Sequence, residues 1–237
     1  MKVITYIFLF ALLYSTFALG QSGDMPKNYR HFDRKFIHFG FMLGVNTADF
    51  STLYYNNLKS EHNLENITNE SQPGFQLGII SSMKIVHPSI RLRFIPSLSF
   101  QERILNYSFI TEDGIDLHEE RIGSTNLDFP LLFKLRTARY NNFSSYIITG
   151  AQYTLDLQTK EFSSQSPANP FLKIKRDDLQ GQIGAGVDFF LPYFKFGIEL
   201  KFSHGIFNTV IKDNTSLSNP IDRLYNRVWW LSFTFEG

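Results

Sequence analysis

The chain has 237 residues, enough for one large β domain or two small domains. Its 23 Lys+Arg stand against 22 Asp+Glu, so it lacks the basic excess of a nucleic-acid binder. Cysteine is absent, which removes a disulfide framework, a thiolate metal site and a Cys nucleophile together; aromatics are abundant instead, with 25 Phe, 11 Tyr and 2 Trp.

The first segment carries Lys2, an apolar run from Ile7 to Leu13, and small residues at Ala18 and Gly20 before Gln21. That order predicts a secretory signal peptide over 1–20, removed on export. A polar stretch over 21–34 follows. No later segment has the roughly eighteen consecutive apolar residues of a membrane helix, so any crossing would be made by strands.

Alternating apolar and polar residues predict strands over 35–47, 74–84, 90–105, 122–136, 144–157, 173–191, 194–204 and 226–236. The first connection, 48–73, is long and polar; its sequons at Asn66 and Asn69 read as loop composition. It includes Tyr54, Tyr55, Asn56 and Asn57, a possible partner-contact loop. The second connection, "IVHPS", is short. The third strand opens "RLRFIPSLSF", where Leu92, Phe94, Leu98 and Phe100 alternate with Arg91, Arg93, Ser97 and Ser99. Pro96 removes a ladder donor there, which predicts a bulge or kink. Long 106–121, short 137–143, long 158–172, a turn at Pro192 and long 205–225 complete the series. Long and short alternate throughout. This is the loop rule of an outer-membrane barrel, with long loops outside and short turns and both termini in the periplasm.

Alternation alone does not say which face is inside, because a soluble barrel has the same period. Glycine helps to decide. Gly40, Gly44, Gly78, Gly184, Gly186 and Gly197 share the polar face with Asp188, Glu199 and Lys201. A narrow lumen needs small residues to make room for long charged ones, whereas a solvent face does not. The Phe/Leu/Ile face should therefore meet lipid, with Tyr153, Tyr193, Phe194, Trp229, Trp230 and Phe235 near strand ends as interfacial girdles. The predicted fold is all-β: an eight-stranded antiparallel transmembrane barrel over 35–237, an up-and-down meander of the small OmpA/OmpX kind.

Eight strands leave an interior that side chains can fill. Lys84, Arg91, Arg93, Asp128, Lys134, Asp188, Lys195, Glu199 and Lys201 point inward on this register. Buried charges must be paired, which predicts a network joining Arg91, Arg93, Lys134 and Lys201 to Asp128, Asp188 and Glu199, with Arg93 on Asp128 or Glu199. Such a lumen passes no protein and no sizeable solute.

Catalytic motifs are missing. There is no G-x-S-x-G, H-E-x-x-H, P-loop or EF-hand pattern, and "GQIGAGVD" at 181–188 lies inside a strand with no following helix. The six histidines are scattered, with His38 and His204 at opposite strand ends. The sequence predicts no enzyme, no metal, no cofactor, no nucleic-acid partner and no small-molecule substrate. The expected surroundings are the bilayer and protein partners.

Three segments carry a family resemblance: "RFIPSLSFQER", "STNLDFPLLFKLRTARYNNFSSYIITG" and "GVDFFLPYFKFGIELKFSHGI". In this order they resemble the PorT (SprT) family of outer-membrane barrels, accessory components of the type IX secretion system. The most specific positions are Pro96, Ser124, Thr125, Phe129, Pro130, Arg139, Asn142 and Gly150. Asn126 and Asp128 depart from the aromatic and the glutamate expected there. The resemblance implies a role in exporting proteins with C-terminal sorting domains, including proteases and adhesins, and in gliding bacteria a link to motility. Together with a filled lumen it implies a scaffold beside a larger pore. The alternative is a stand-alone small barrel acting as an adhesin or envelope stabiliser.

Overall fold

The computed structural model describes residues 27–29, 32, 34–55, 63–85, 87–112, 114–159 and 171–237. The predicted signal peptide, Asn56, Asn57, His31 and His62 lie outside the described residues. Every regular element among the described residues is a strand: β1 (Ile37–Tyr54), β2 (Leu64–Lys84), β3 (Ile90–Phe94), β4 (Ser97–Thr111), β5 (Gly114–Arg136), β6 (Phe143–Asp156), β7 (Asp177–Phe190), β8 (Lys195–Gly205) and β9 (Ile221–Glu236). All pairings are antiparallel. β1 pairs with β2 on one side and with β9 on the other, which closes the ring.

Nine segments make eight staves, because β3 and β4 are one strand interrupted at Ile95–Pro96. The register does not change across the break. Ser81↔Phe94 continues as Gly78↔Ser97 on the β2 side, and Phe94↔Leu131 as Ser97↔Asp128 on the β5 side. The bulge expected at Pro96 is therefore absent. Ile79 N–H still donates to the Pro96 carbonyl (3.0 Å) and Ile95 N–H to that of Pro130 (3.2 Å). The prolines cannot return these bonds. The ladder loses two donors while neighbours on both sides hold the register. The shifts fall elsewhere in β2, between Leu64 and Asn66 and between Ser71 and Phe75, around Pro73-Gly74.

The outer face is apolar around the whole ring. Phe41, Leu43, Phe75, Leu77, Ile79, Leu131, Phe133, Ile147, Ile183, Leu200 and Leu231 are all exposed. A continuous apolar band of this kind far exceeds the patches of a soluble surface and fits a hydrocarbon environment. Aromatics frame it. Phe36, Tyr140, Phe143, Tyr193 and Phe194 are exposed toward the short turns, and Tyr153 and Trp229 toward the long connections. Just past Trp229 the outer face turns polar. Arg227 there makes a two-pronged bond to Asp49 (2.7 and 2.6 Å), and Tyr153 donates to Asp177 (2.7 Å).

Two of the expected long loops are largely strand. β1 runs on to Tyr54, β2 begins at Leu64, and β4 and β5 form a hairpin paired as far as Thr111↔Gly114, with Gly114 at φ +132°. The ladder persists beyond the apolar band, but both faces there carry polar residues. The period-2 hydrophobic signal fades although the backbone pairing does not.

Candidate functional site: a filled lumen closed at both ends

The inward side chains form three layers. Nearest the short turns is a chain of alternating charges, in which every member is at most 3% exposed. Lys201 Nζ lies 3.8 Å from Glu199, and Glu199 accepts from Arg93. The second arm of Arg93 reaches Glu236 (3.6 Å). Lys195 joins Glu236 (3.0 Å) to Asp188 (3.4 Å), and Asp188 binds Lys134 (2.8 Å). Four cations thus alternate with three carboxylates. The Lys134 amine also lies 3.5 Å from the Tyr146 ring centre, and Arg91 lies over Phe32 at 5.1 Å.

Asp128 does not join this network. It accepts from Ser99 (2.7 Å), Thr154 (2.8 Å) and Gln152 (2.9 Å). Register explains the correction. Arg93 stands opposite Leu132 on β5. Asp128 is four residues further along, about 13 Å at the usual strand rise. The expectation that Arg93 meets one of two carboxylates resolves to Glu199. Trp230, expected in the outer aromatic girdle, is instead 1% exposed and donates to Ser203 (3.0 Å) in the lumen. It shares the inward face with Ser232, Thr234 and Glu236, so the misplaced face hid Glu236 from the sequence reading.

Met42, Ile80, Ile95, Leu132, Tyr146 and Ile148 pack between the charged layer and the level of Asp128. Beyond Asp128 the lumen holds a carboxamide and acid layer: Gln182 donates to Gln152 (2.5 Å), and Asp178 accepts from Gln180 (2.9 Å) and Asn226 (2.7 Å). Arg103 donates to Gln101 and to Ser124 (3.4 Å), with its guanidinium over Phe50 at 5.1 Å.

Both mouths are covered. At the short-turn end Phe32, fully buried, stacks on His38 (3.7 Å) and meets Phe190 edge-on (5.7 Å), with Lys195 over its ring at 4.5 Å. Asn28 anchors this segment. Its N–H donates to Asn142 Oδ1 (2.8 Å), its side chain to the Phe190 carbonyl (3.3 Å), and its carbonyl accepts from Arg139. Arg139 also donates to Asn142 (2.7 Å). These two residues of the family-like motif therefore clamp the N-terminal segment across the mouth.

At the long-connection end an apolar cluster fills the opening. It draws Phe50, Leu64, Tyr107, Leu172, Val210 and Leu224 from six separate segments. Tyr107 donates to the Leu217 carbonyl (3.2 Å), and Ile174 bridges to Val210. Lys212 donates to the carbonyls of Ser218 (3.3 Å) and Ile221, and burial lowers its amine below the ordinary lysine range. Tyr54 packs against the cluster, whereas Tyr55 is 45% exposed under the Lys212 amine.

The other motif positions are structural in placement. Ser124 and Pro130 face the lumen, Phe129 and Pro96 face outward, and the Thr125 carbonyl accepts from Leu157 N–H (2.8 Å). A Cβ on Gly150 would sit 2.1 Å from the Leu131 carbonyl, so only glycine fits that crossing. Among the described residues no group of three or more His, Cys, Asp or Glu could hold a metal ion.

Residues 21–210 match the family described as outer membrane protein beta-barrel domain. The chain belongs to that family. This outer-membrane barrel is also similar to several solved structures. OprG from Pseudomonas aeruginosa is 12% identical, with 85% of this chain and 94% of that one covered and a TM-score of 0.46. Neisserial surface protein A is 12% identical, with 84% and 95% covered and a TM-score of 0.42. Ail, the attachment invasion locus protein of Yersinia pestis, is 12% identical in its complex with a heparin analogue, with 86% and 100% covered and a TM-score of 0.38. No curated protein matches the chain.

An outer-membrane barrel filled in this way should be electrically silent. Purified and inserted into planar bilayers, it should give no steady conductance steps. Large, stable steps would mean that the three layers do not close the lumen.

Proposed function

We propose that the protein is an accessory or scaffold subunit of the type IX secretion system, needed for export of proteins with C-terminal sorting domains and not itself their conduit. The observation that carries this reading is the lumen, filled by paired charges and covered at both mouths. A barrel without a passage acts through its surfaces. The PorT-like segments supply the choice of system. Within it, Arg139 and Asn142, which belong to the most specific of those segments, hold the N-terminal strand leader in place, and the reading gives the chain no catalytic step. Residues 1–20 then act as the export signal. Residues 21–34, the short turns and both termini face the periplasm, and the long connections face outward.

Deleting the gene should leave type IX cargo trapped in the periplasm, seen as loss of secreted protease from the medium and its build-up in the periplasmic fraction. A deletion strain that exports cargo normally but loses surface adhesion or envelope integrity would replace this reading with that of a stand-alone barrel.

A further inference from the structure

Beyond the apolar band, β2, β4 and β5 stand up as a three-stranded flap whose outer edge has no strand partner among the described residues. β4 pairs with β5 as far as Gly114, whereas β6 accompanies β5 only from Asn126 to Arg136. The last bond on the β6 side is from Leu157 N–H to the Thr125 carbonyl (2.8 Å). Strand alternation puts the N–H and C=O of Gly123, Arg121, Glu119, Leu117 and Ile115 on that same side. Among the described residues no backbone group pairs with them. A cleft of about 110 Å³, bounded by Ile122, Gly123, Asp156 and Leu172, opens beside the lower part of this edge. A Cβ on Gly123 would meet nothing within 4 Å.

Exposed edges are normally blunted by proline, lysine, bulges or shortness. From Gly114 to Thr125 this one has no proline and no lysine, and its register with β4 is unbroken. Its outward side chains are apolar near the tip, with Leu117 74% and Ile115 59% exposed. The rest of the flap is acidic. Glu65, Glu70, Glu102, Asp116, Glu119 and Glu120 outnumber the one exposed Lys or Arg of its described residues, Arg121, which is bonded to Glu119 and 3.8 Å from Glu102, while Glu120 accepts from Leu172 N–H (3.2 Å). A second copy of the chain does not complement this surface. Two barrels sharing one membrane orientation would set two acidic flaps against each other.

We propose that the edge of β5 from Ile115 to Gly123 captures an extended segment of another polypeptide by strand addition, the segment carrying Lys or Arg alternating with apolar residues. Main-chain bonds supply the affinity, the acidic flap selects the cations, and Ile115 and Leu117 receive the apolar positions. The inference does not depend on the secretion role.

The test uses the full-length barrel in zwitterionic lipid nanodiscs and a nine-residue peptide of alternating valine and lysine. Fluorescence anisotropy should show saturable binding that an alternating valine–glutamate peptide does not share. Leu117→Pro removes a donor on the open side and leaves the β4 ladder intact, so it should weaken binding about tenfold or more, whereas Leu117→Ala should stay within about threefold. In hydrogen exchange the amides of Leu117, Glu119 and Arg121 should exchange freely and become protected by the peptide. Equal binding by the proline variant, no binding of the valine–lysine peptide, or protection of these amides before peptide is added would each overturn the proposal. The last result would mean that the chain itself, or a second copy, already covers the edge.

Discussion

Arg93→Ala should destabilise the barrel by about 3–5 kcal/mol, the usual cost of breaking a buried ion pair from one side. The argument rests on what the substitution leaves behind. Without Arg93, the ion pairs among the described residues leave Glu199 with Lys201 at 3.8 Å and Glu236 with Lys195 at 3.0 Å. Both carboxylates are fully buried, so water cannot replace the lost guanidinium cheaply. The loss should appear as a lower temperature, and a lower urea concentration, at which the compact folded band on unheated gels disappears. Neutralising the stranded partner should reverse much of it. Arg93→Met combined with Glu199→Gln is expected to recover most of the stability, because replacing both members of a buried pair is often close to neutral. A single Arg93→Ala variant as stable as the unmodified chain would show that the alternating charges are not what holds the lumen together.

The barrel itself was legible because lipid and lumen impose opposite demands on alternate residues. Phe75, Leu77 and Ile79 against Gln76 and Gly78 is such a case: one face must be greasy, and the other must be polar or small. Where that contrast ends, so does the legibility. Glu65 to Ser71 are strand residues read as loop, because neither face there meets hydrocarbon. Within the lumen, the sequence yields which residues point inward but not their height. Height depends on the stagger between strands, and stagger placed Asp128 among hydroxyls and amides instead of beside Arg93. Phe32 illustrates a different limit. Flanked by Arg30, His31, Asp33 and Arg34, it carries no periodicity, and its role as a cover for the short-turn mouth depends on Asn28, Arg139 and Asn142 more than a hundred positions apart. Pro96 alternates with Phe94 and Leu98 on the outward face, and the strand is interrupted beside it, but the expected bulge does not form, since neighbours on both sides hold a register that an isolated hairpin would lose.

Gly186→Val is expected to prevent assembly of the folded barrel, a cost of about 3 kcal/mol or more at the upper end of overpacking effects. Even the first added carbon is refused. A Cβ at this position would lie 2.5 Å from both Cζ and Oη of Tyr146 and 2.6 Å from the Ile198 carbonyl. Neither neighbour can yield. The carbonyl belongs to β8, whose register with β7 runs unbroken from Gln180↔Gly205 to Phe190↔Lys195. The Tyr146 ring sits beneath the Lys134 amine at 3.5 Å, so moving it disturbs the bond from Lys134 to Asp188 (2.8 Å) and with it one end of the charge chain. Gly181, five residues earlier on the outward face, provides the control: a Cβ there meets nothing within 4 Å, and Gly181→Val should fold normally in the same gel assay. Pairing Gly186→Ala with Tyr146→Ala separates the two obstacles. Partial rescue is expected, because the ring is gone while the Ile198 carbonyl stays. Full rescue would assign the whole effect to the side chain, and a Gly186→Val barrel that assembles normally would mean that the lumen is looser than its glycines, charges and covered mouths require.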